Sequence, residues 1–412
     1  MNSHLPYSKF DRQERLSIWD QSLIEKSCVL IIGIGGTGGE VAKNLSLLGV
    51  GKLILVDMDT IEFSNLNRQL LFSKADIGKN KAKIAKKVIK KRYNSTLKIE
   101  AYSDPIQSLP YRIFEEADII AGCVDNFLAR QFINEIVIEL CLPLIDSATD
   151  GYFGQVQSVN PRKNACLACD SPLPPEETRL LSAPCTLVGT PRIKEHCAWK
   201  ALYEFHTMND REPDENSPDD VQEITNLANK FATDHQFPLF DTKEIIQLVL
   251  YHVPSLITVN AVTSGIQSQE IIKTLFINKM KLFKKKDQKE FKSLIRAQRF
   301  RIPDLTIYSA LTGNISSFNL INDPDCLVCG NSSIYHQTPV TIDVNPKLKC
   351  KTIFTILKRR FKKNYIGFRG NFIIPAEALI ESILQDGDRI TVSSLDDDKE
   401  KRIRIRFNKK NG

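Results

Sequence analysis

Three groups of residues have types and spacings suited to chemistry. The first is a pair of Cys-x-x-Cys knuckles, Cys166/Cys169 and Cys326/Cys329. Four thiolates can close a tetrahedron around a structural zinc ion, and a Cys-x-x-Cys pair can also serve redox exchange. The second is Cys185, set between Pro184 and Thr186 and trailed by Arg192, Lys194 and His196. Basic neighbours favour a thiolate, and a thiolate can capture an activated acyl group as a thioester. The third starts with GIGGTGG at 33–39, where Gly33, Gly35 and Gly38 make Gly-x-Gly-x-x-Gly around Gly36. It continues through Asp57 and Asp59, then Asn67, Arg68 and Gln69, then Lys81, and ends at Asp125-Asn126.

Glycines at that spacing let phosphate approach backbone N–H groups, and an acid on the next strand can hold a ribose. Taken alone, the glycines suit a nicotinamide dinucleotide equally well. The cations separate the two readings. Joining a carboxylate to the α-phosphate of ATP adds negative charge at phosphorus. Arg68 and Lys81 can neutralise that charge while an aspartate holds Mg²⁺. Hydride transfer has no such need.

These residues need a scaffold. Cys28–Ile32 and Lys52–Val56 are short apolar runs next to glycine or aspartate, as expected of parallel strands buried on both faces. Asp118–Gly122 and Leu142–Ser147 read the same way, with helical patterns over Glu40–Leu48 and Asn80–Arg92. The expectation is a doubly wound α/β sheet with the acids and glycines at the carboxyl ends of its strands. Residues 198–206 and 221–233 read as helices joined by a flexible acidic link at Met208–Asp220. Ser255–Phe276 reads as a long buried helix, and strands fit Leu305–Ser309 and Ile315–Leu320. Beyond residue 338, strand Val340–Val344 and helix Thr352–Lys363 precede strands at Asn371–Ile374, Arg389–Ser393 and Lys401–Phe407, an order that suits a β-grasp domain.

The chain has 412 residues, 42% of them apolar, which is enough for two or three domains. Its net charge of +7 is mild, does not by itself demand nucleic acid and forms no even basic coating, so no nucleic-acid partner is expected. Asn278–Arg301 alone carries ten Lys/Arg against two Asp/Glu, so the remaining chain is nearly neutral. That run reads as a solvated or partly disordered excursion. No apolar run reaches the length of a membrane span, and the first residues lack the apolar core of a secretory signal. The expected setting is cytoplasmic and reducing, so the ten cysteines are expected to be thiols or ligands.

The segments FDRQ (10–13), GIGGTGG (33–39), DMDTIEFSNLNRQ (57–69), IGKNKA (77–82) and CVDN (123–126) carry a resemblance. The sequence resembles the activating enzymes of ubiquitin and ubiquitin-like proteins, with their bacterial relatives, the adenylyltransferases of molybdopterin and thiamine biosynthesis. The resemblance implies a Rossmann-like, ThiF-type adenylation domain with a helical catalytic-cysteine insertion and a C-terminal β-grasp, ubiquitin-fold domain. The adenylation domain would occupy 1–169 and 241–332, the insertion 170–240 and the ubiquitin-fold domain 338–412.

The same resemblance implies that Asp59 holds ribose, that Asn67, Arg68 and Lys81 bind phosphates with support from Gln69, and that Asp125 organises Mg²⁺. Arg12 would cross a dimer interface into the partner's ATP site. This chain holds both Arg12 and the full adenylation set, so a homodimer with two composite sites is expected. The two cysteine knuckles are 156 residues apart, far more than a zinc ribbon uses, but the family carries paired knuckles at these places. Cys185 matches the family's thioester cysteine, although Pro184 directly precedes it and Val188 stands where a basic residue is common. Cys197 is a second, weaker nucleophile candidate, Cys28, Cys123 and Cys141 read as core, and Cys350 as incidental.

The implied activity is ATP-dependent adenylation of the C-terminal glycine of a ubiquitin-like protein, thioester formation on Cys185 and transfer to a conjugating enzyme recruited by the tail. The alternative is a sulfur-carrier adenylyltransferase without stable thioester transfer.

Overall fold

A computed structural model describes residues 8–169, 194–209, 211, 213–214, 216–250, 255–282, 285–297, 299–370, 372–397 and 399–408. Its centre is an eight-stranded sheet. The strands are β1 (Cys28–Ile32), β2 (Lys52–Val56), β3 (Lys98–Tyr102), β4 (Ile119–Gly122), β5 (Leu144–Asp150), β6 (Phe153–Val159), β7 (Leu305–Ser309) and β8 (Asn314–Phe318). They are ordered β3-β2-β1-β4-β5-β6-β7-β8. The first five run parallel, and β6, β7 and β8 add on antiparallel.

All five residues of β1 are buried. Val29 and Ile31 join Leu53 and Leu55 in one core, while Leu30 and Ile32 join Ile54 and Val56 in the other. A strand covered on both faces must be apolar at consecutive positions, which is why the runs are continuous. Two short helices, α1 (Asp11–Glu14) and α2 (Gln21–Ile24), precede β1. Helices α3 (Gly36–Leu48) and α4 (Lys81–Arg92) cover one face through Val41, Leu45, Ala82, Ala85 and Ile89. Helices α5 (Tyr111–Glu116) and α6 (Phe127–Leu140) cover the other through Phe114, Ile133, Ile136 and Val137. Chain order reverses between β1 and β4, and that reversal opens a crevice at their carboxyl ends.

Between β6 and the long helix α10 (Ile257–Asn278) lie α7 (Lys194–Asn209), α8 (Pro218–Asp234) and α9 (Thr242–Ile245). They bury their own core, including Ala201, Phe205, Ile224, Ala228 and Phe231. Phe240 and Ile245 belong to that core, so the helical insert runs past residue 240, where the sheet domain was expected to resume. The described residues of the acidic link are also more ordered than expected. Arg211 holds Asp220 with two bonds of 2.6 and 2.7 Å, and the Asp214 N–H donates to the same carboxylate.

The basic run is not a disordered excursion. Lys285–Arg296 forms helix α11. Phe291 is fully buried in the sheet domain's core and meets Phe300 edge-on with ring centroids 4.6 Å apart. A single apolar stripe among many lysines suffices to seat the helix.

The tail forms a second sheet from β9 (Val340–Val344), β10 (Tyr365–Arg369), β11 (Phe372–Ile373), β12 (Arg389–Ser394) and β13 (Glu400–Phe407), ordered β11-β10-β12-β13-β9. The last strand, β13, runs parallel to β9 and antiparallel to β12. Helix α12 (Lys351–Phe361) packs Ile353 and Leu357 on one face with Ile342, Val392 and Ile403, and the short α13 (Ile380–Ile383) closes the edge. Cys350 is fully buried in this core, so it packs as part of the fold.

Charged groups fix this sheet onto the body. The Arg402 guanidinium binds Glu139, the Tyr111 hydroxyl at 2.6 Å and the Thr391 hydroxyl at 2.7 Å, and lies over the Tyr335 ring. Arg369 donates to the Leu109 carbonyl at 2.7 Å, and the Tyr111 N–H donates to Asp388 at 3.0 Å. A buried pair of this kind costs about 3–5 kcal/mol when one member is removed.

One buried acid at this junction gives a pH signature. Burial pushes the Glu135 carboxyl up to about 7, against the pull of its Tyr335 and Gln131 hydrogen bonds and of Arg402. Its folded value therefore exceeds the ordinary 4.5. The associated stability is fully present below about pH 4.5 and is lost as pH rises through about 7. Glu135→Gln removes this loss. Its unfolding free energy should match the parent near pH 4.5 and exceed it by on the order of 3 kcal/mol at pH 8. Equal gaps at both pH values would show that folding leaves the Glu135 carboxyl at its ordinary value.

Candidate nucleotide and metal sites

The crevice is built from the turn after β1 upward. Gly33 takes φ +86°, and a Cβ there would lie 2.4 Å from the Cys123 carbonyl oxygen. A Cβ on Gly38 would lie 1.8 Å from the Gly33 carbonyl oxygen, so both glycines are needed for the loop to close against β4. Gly35 caps α3 without a side-chain acceptor. The first N–H groups of a helix have no partner inside it, which leaves an anion cradle at this point.

The acidic pair divides its work. One Asp57 oxygen accepts from the Ile34 N–H at 2.6 Å and the other from the Asp59 N–H at 2.9 Å. Asp57 thus ties the glycine loop to the end of β2. Burial pushes its carboxyl up to about 6, with Lys81 pulling the other way. Asp59 is half-exposed and meets Lys81 at 2.8 Å. Burial works against the charge on Lys81, but Asp57 and Asp59 outweigh it and raise its pKa.

The Ser-Asn-Leu-Asn-Arg-Gln segment starts on a single helical turn. Glu62 and Asn65 cap each other there, and Asn65 is buried. Arg68 donates to the Ser64 carbonyl at 2.8 Å and to Asn67 Oδ1 at 3.1 Å. Gln69 is buried, and its Oε1 lacks a hydrogen-bond partner. Asp125 is exposed at the end of the β4 loop, and Asn126 caps α6 by accepting from the Ala129 N–H at 2.8 Å. The donor set fits ATP: an uncapped helix start, two cations and an exposed acid share one crevice.

Several supports escaped the sequence reading. Arg130 donates to the Val124 carbonyl at 2.7 Å and pairs with buried Asp146 at 3.0 Å, which braces the loop bearing Asp125. Gln267 on α10 donates to the Gly122 and Ile145 carbonyls. The signal for Asp146 was a carboxylate directly after the apolar Leu144-Ile145 pair of β5.

Arg12 is not part of this crevice. Its neighbours anchor α1 at the opposite end of α3. The Phe10 ring lies against Gly49, and Gln13 donates to the Leu48 carbonyl at 3.0 Å. Arg12 itself is exposed, about 20 Å along α3 from the glycine loop.

The two cysteine knuckles do meet. Cys166 and Cys326 sulfurs lie 3.8 Å apart, Cys169 and Cys329 3.3 Å, and Cys166 and Cys169 3.9 Å. All four are buried and their ligand atoms lie within 4.8 Å of one another. A tetrahedral zinc with bonds of about 2.3 Å sets its sulfurs about 3.8 Å apart, so the cluster fits a closed metal site. Asn134 Nδ2 and the Ala168 N–H both point at the Cys166 sulfur from 3.4 Å, donors that favour thiolate.

The remaining thiols divide by burial. Burial pushes Cys28 and Cys123 up to about 12 and Cys197 up to about 11. Cys197 lies in the helical insert's core and is a poor nucleophile. Cys141 departs from expectation. It is exposed because it ends α6 in the left-handed conformation, with φ 53°. Cys185 and Arg192 lie outside the described residues.

No helix among the described residues is long and apolar enough to cross a membrane. Among curated proteins, SUMO-activating enzyme subunit 2 of Dictyostelium discoideum is 35% identical over 208 residues, which is 50% of this chain and 31% of that protein. This chain therefore spans less than a third of that relative's length. The NEDD8-activating enzyme E1 catalytic subunit of Saccharomyces cerevisiae is 28% identical over 320 residues, covering 74% of this chain and 98% of that protein. Among solved structures, E. coli MccB with succinimide is 21% identical with a TM-score of 0.46, over 76% of this chain and 68% of that one. The pattern of the ThiF family matches residues 10–328, a span that takes in the whole eight-stranded sheet, and the chain belongs to that family.

Proposed function

We propose that this chain activates a ubiquitin-like protein with ATP. The observation that carries the reading is the crevice at the β1/β4 reversal, where Arg68, Lys81 and Asp125 gather beside the uncapped start of α3. The relatives named as SUMO- and NEDD8-activating enzymes support it.

ATP binds with its phosphates on the glycine loop, and Asp57 or Asp59 holds the ribose. Asp125 would hold Mg²⁺, which draws charge from the phosphates. A carboxylate oxygen of the modifier's terminal glycine attacks the α-phosphorus. The bond to the β-phosphate breaks and pyrophosphate leaves. Arg68 and Lys81 neutralise the charge that gathers at phosphorus. The Cys185 thiolate then attacks the acyl carbon, AMP leaves, and the thioester passes to a conjugating enzyme's cysteine. The tail sheet is a ubiquitin-fold domain that receives that enzyme, and the four cysteines hold zinc. Arg12 works in a homodimer: it cannot reach its own chain's glycine loop, so it serves the partner's.

ATP–pyrophosphate exchange against a panel of candidate modifiers tests this function. One modifier should stimulate exchange, and Arg68→Ala should reduce the rate by roughly 10²–10³-fold. An unchanged rate in that variant would remove Arg68 from the chemistry. Detection of thiocarboxylate product without a conjugating enzyme would favour the sulfur-carrier alternative.

A further inference from the structure

Gly36 lies outside the Gly-x-Gly-x-x-Gly spacing, yet it has no room for a side chain. An added Cβ would lie 2.3 Å from Asn260 Nδ2 and 3.2 Å from its Cγ. The next atom, Arg68 Cγ, is 3.8 Å away, an ordinary contact. Gly36 opens helix α3 and is not among the positive-φ residues. Neither backbone strain nor any other close neighbour therefore demands glycine here. The Asn260 amide does.

Asn260 sits in the first turn of α10 and is 1% exposed. Its Oδ1 accepts from the Thr149 hydroxyl at 3.1 Å, and its amide exchanges bonds of 3.1 and 3.2 Å with the Ser255 hydroxyl. Thr149 lies near the end of β5. Ser255 bridges to Gly151 and is the first described residue where the chain returns from the helical insert. One buried amide therefore touches the nucleotide loop, the end of β5 and the return of the insert. The amide both donates to and accepts from these hydroxyls, and a buried amide left unpaired is costly.

We infer that Asn260 is a positioning residue that sets the glycine loop against the segment returning from the insert. Nucleotide affinity and the placement of that segment then depend on one side chain. This rests on the ATP-binding reading above. Gly36 is glycine for the sake of Asn260, and the two positions form a matched pair.

The test uses the full chain with two readouts: calorimetric affinity for ATP·Mg²⁺, and hydrogen exchange at amides 34–39 without nucleotide. Asn260→Ala should weaken ATP binding roughly tenfold and speed loop exchange by a similar factor. Gly36→Ala should weaken binding on the order of thirtyfold in the parent chain, because the methyl meets the amide. In the Asn260→Ala background the same change should add less than about threefold, because the space is vacant. Asn260→Ser, which keeps a hydrogen-bonding group, serves if the alanine variant does not fold. An equal penalty for Gly36→Ala in both backgrounds overturns the inference, and so does unchanged loop exchange in both Asn260 variants. If the parent chain binds no ATP, the nucleotide reading fails, and loop exchange alone decides the role of Asn260.

Discussion

Cys326→Ser is expected to take bound zinc from one per chain to near zero and to lower the melting temperature by about 7–20 °C. The four sulfurs lie within 4.8 Å of one another inside the core that also holds α5 and α6, close enough to share one metal ion. They join the segment leaving β6 to the segment leaving β8, and Tyr335, which supports Arg402 of the tail, belongs to the same core. Structural zinc in small domains contributes about 10–16 kcal/mol to folding. A third of that here, at about 2–4 °C per kcal/mol for a large domain, gives the stated shift. A strong chelator should have the same effect, and the tail should become sensitive to protease in both cases. Purified protein with well below one zinc per chain, together with melting unaffected by chelation, would reduce the cluster to four packed thiols.

The long gap between the knuckles shows why sequence alone undervalued them. Spacing rules assume ligands on one small module, whereas here antiparallel strands β6 to β8 carry the ends together. Strands β1, β2 and β4 were legible because burial on both faces makes them continuously apolar. β3 was missed because Glu100 and Lys98 interrupt its pattern on the sheet's outer edge. β10 was missed because Gly367 breaks its run, a position where the Phe354 ring approaches within 2.8 Å of a would-be Cβ. Helix α11 was hidden by its lysines, since only Phe291 and Ile295 of it pack in the sheet domain's core. The glycines and acids of the crevice were visible because they follow strand ends, and the cations because Arg68 lies in the polar Ser-Asn-Leu-Asn-Arg-Gln segment and Lys81 opens α4. Asn260 was not, because all its partners are brought to it by folding.

Cys185→Ala is expected to abolish a thiol-sensitive covalent adduct with the modifier and to leave pyrophosphate exchange within about twofold. Adenylation uses the crevice, whereas capture of the acyl group needs a separate nucleophile. The described thiols leave few rivals. Four gather in the buried four-cysteine cluster, and Cys28, Cys123, Cys197 and Cys350 are buried. Cys141 alone is exposed among them. It terminates the 14-residue helix α6, whose opposite end begins at Asn126 beside Asp125. At 1.5 Å per residue, that places it about 20 Å from the crevice, at the opposite end of the strands, just before β5. An acyl adenylate in the crevice is out of its reach. Cys141→Ala should therefore leave both adduct and exchange unchanged. An adduct that survives Cys185→Ala and disappears with Cys141→Ala would move the nucleophile to the wrong end of α6 for this chemistry, and the proposed thioester step would fall with it.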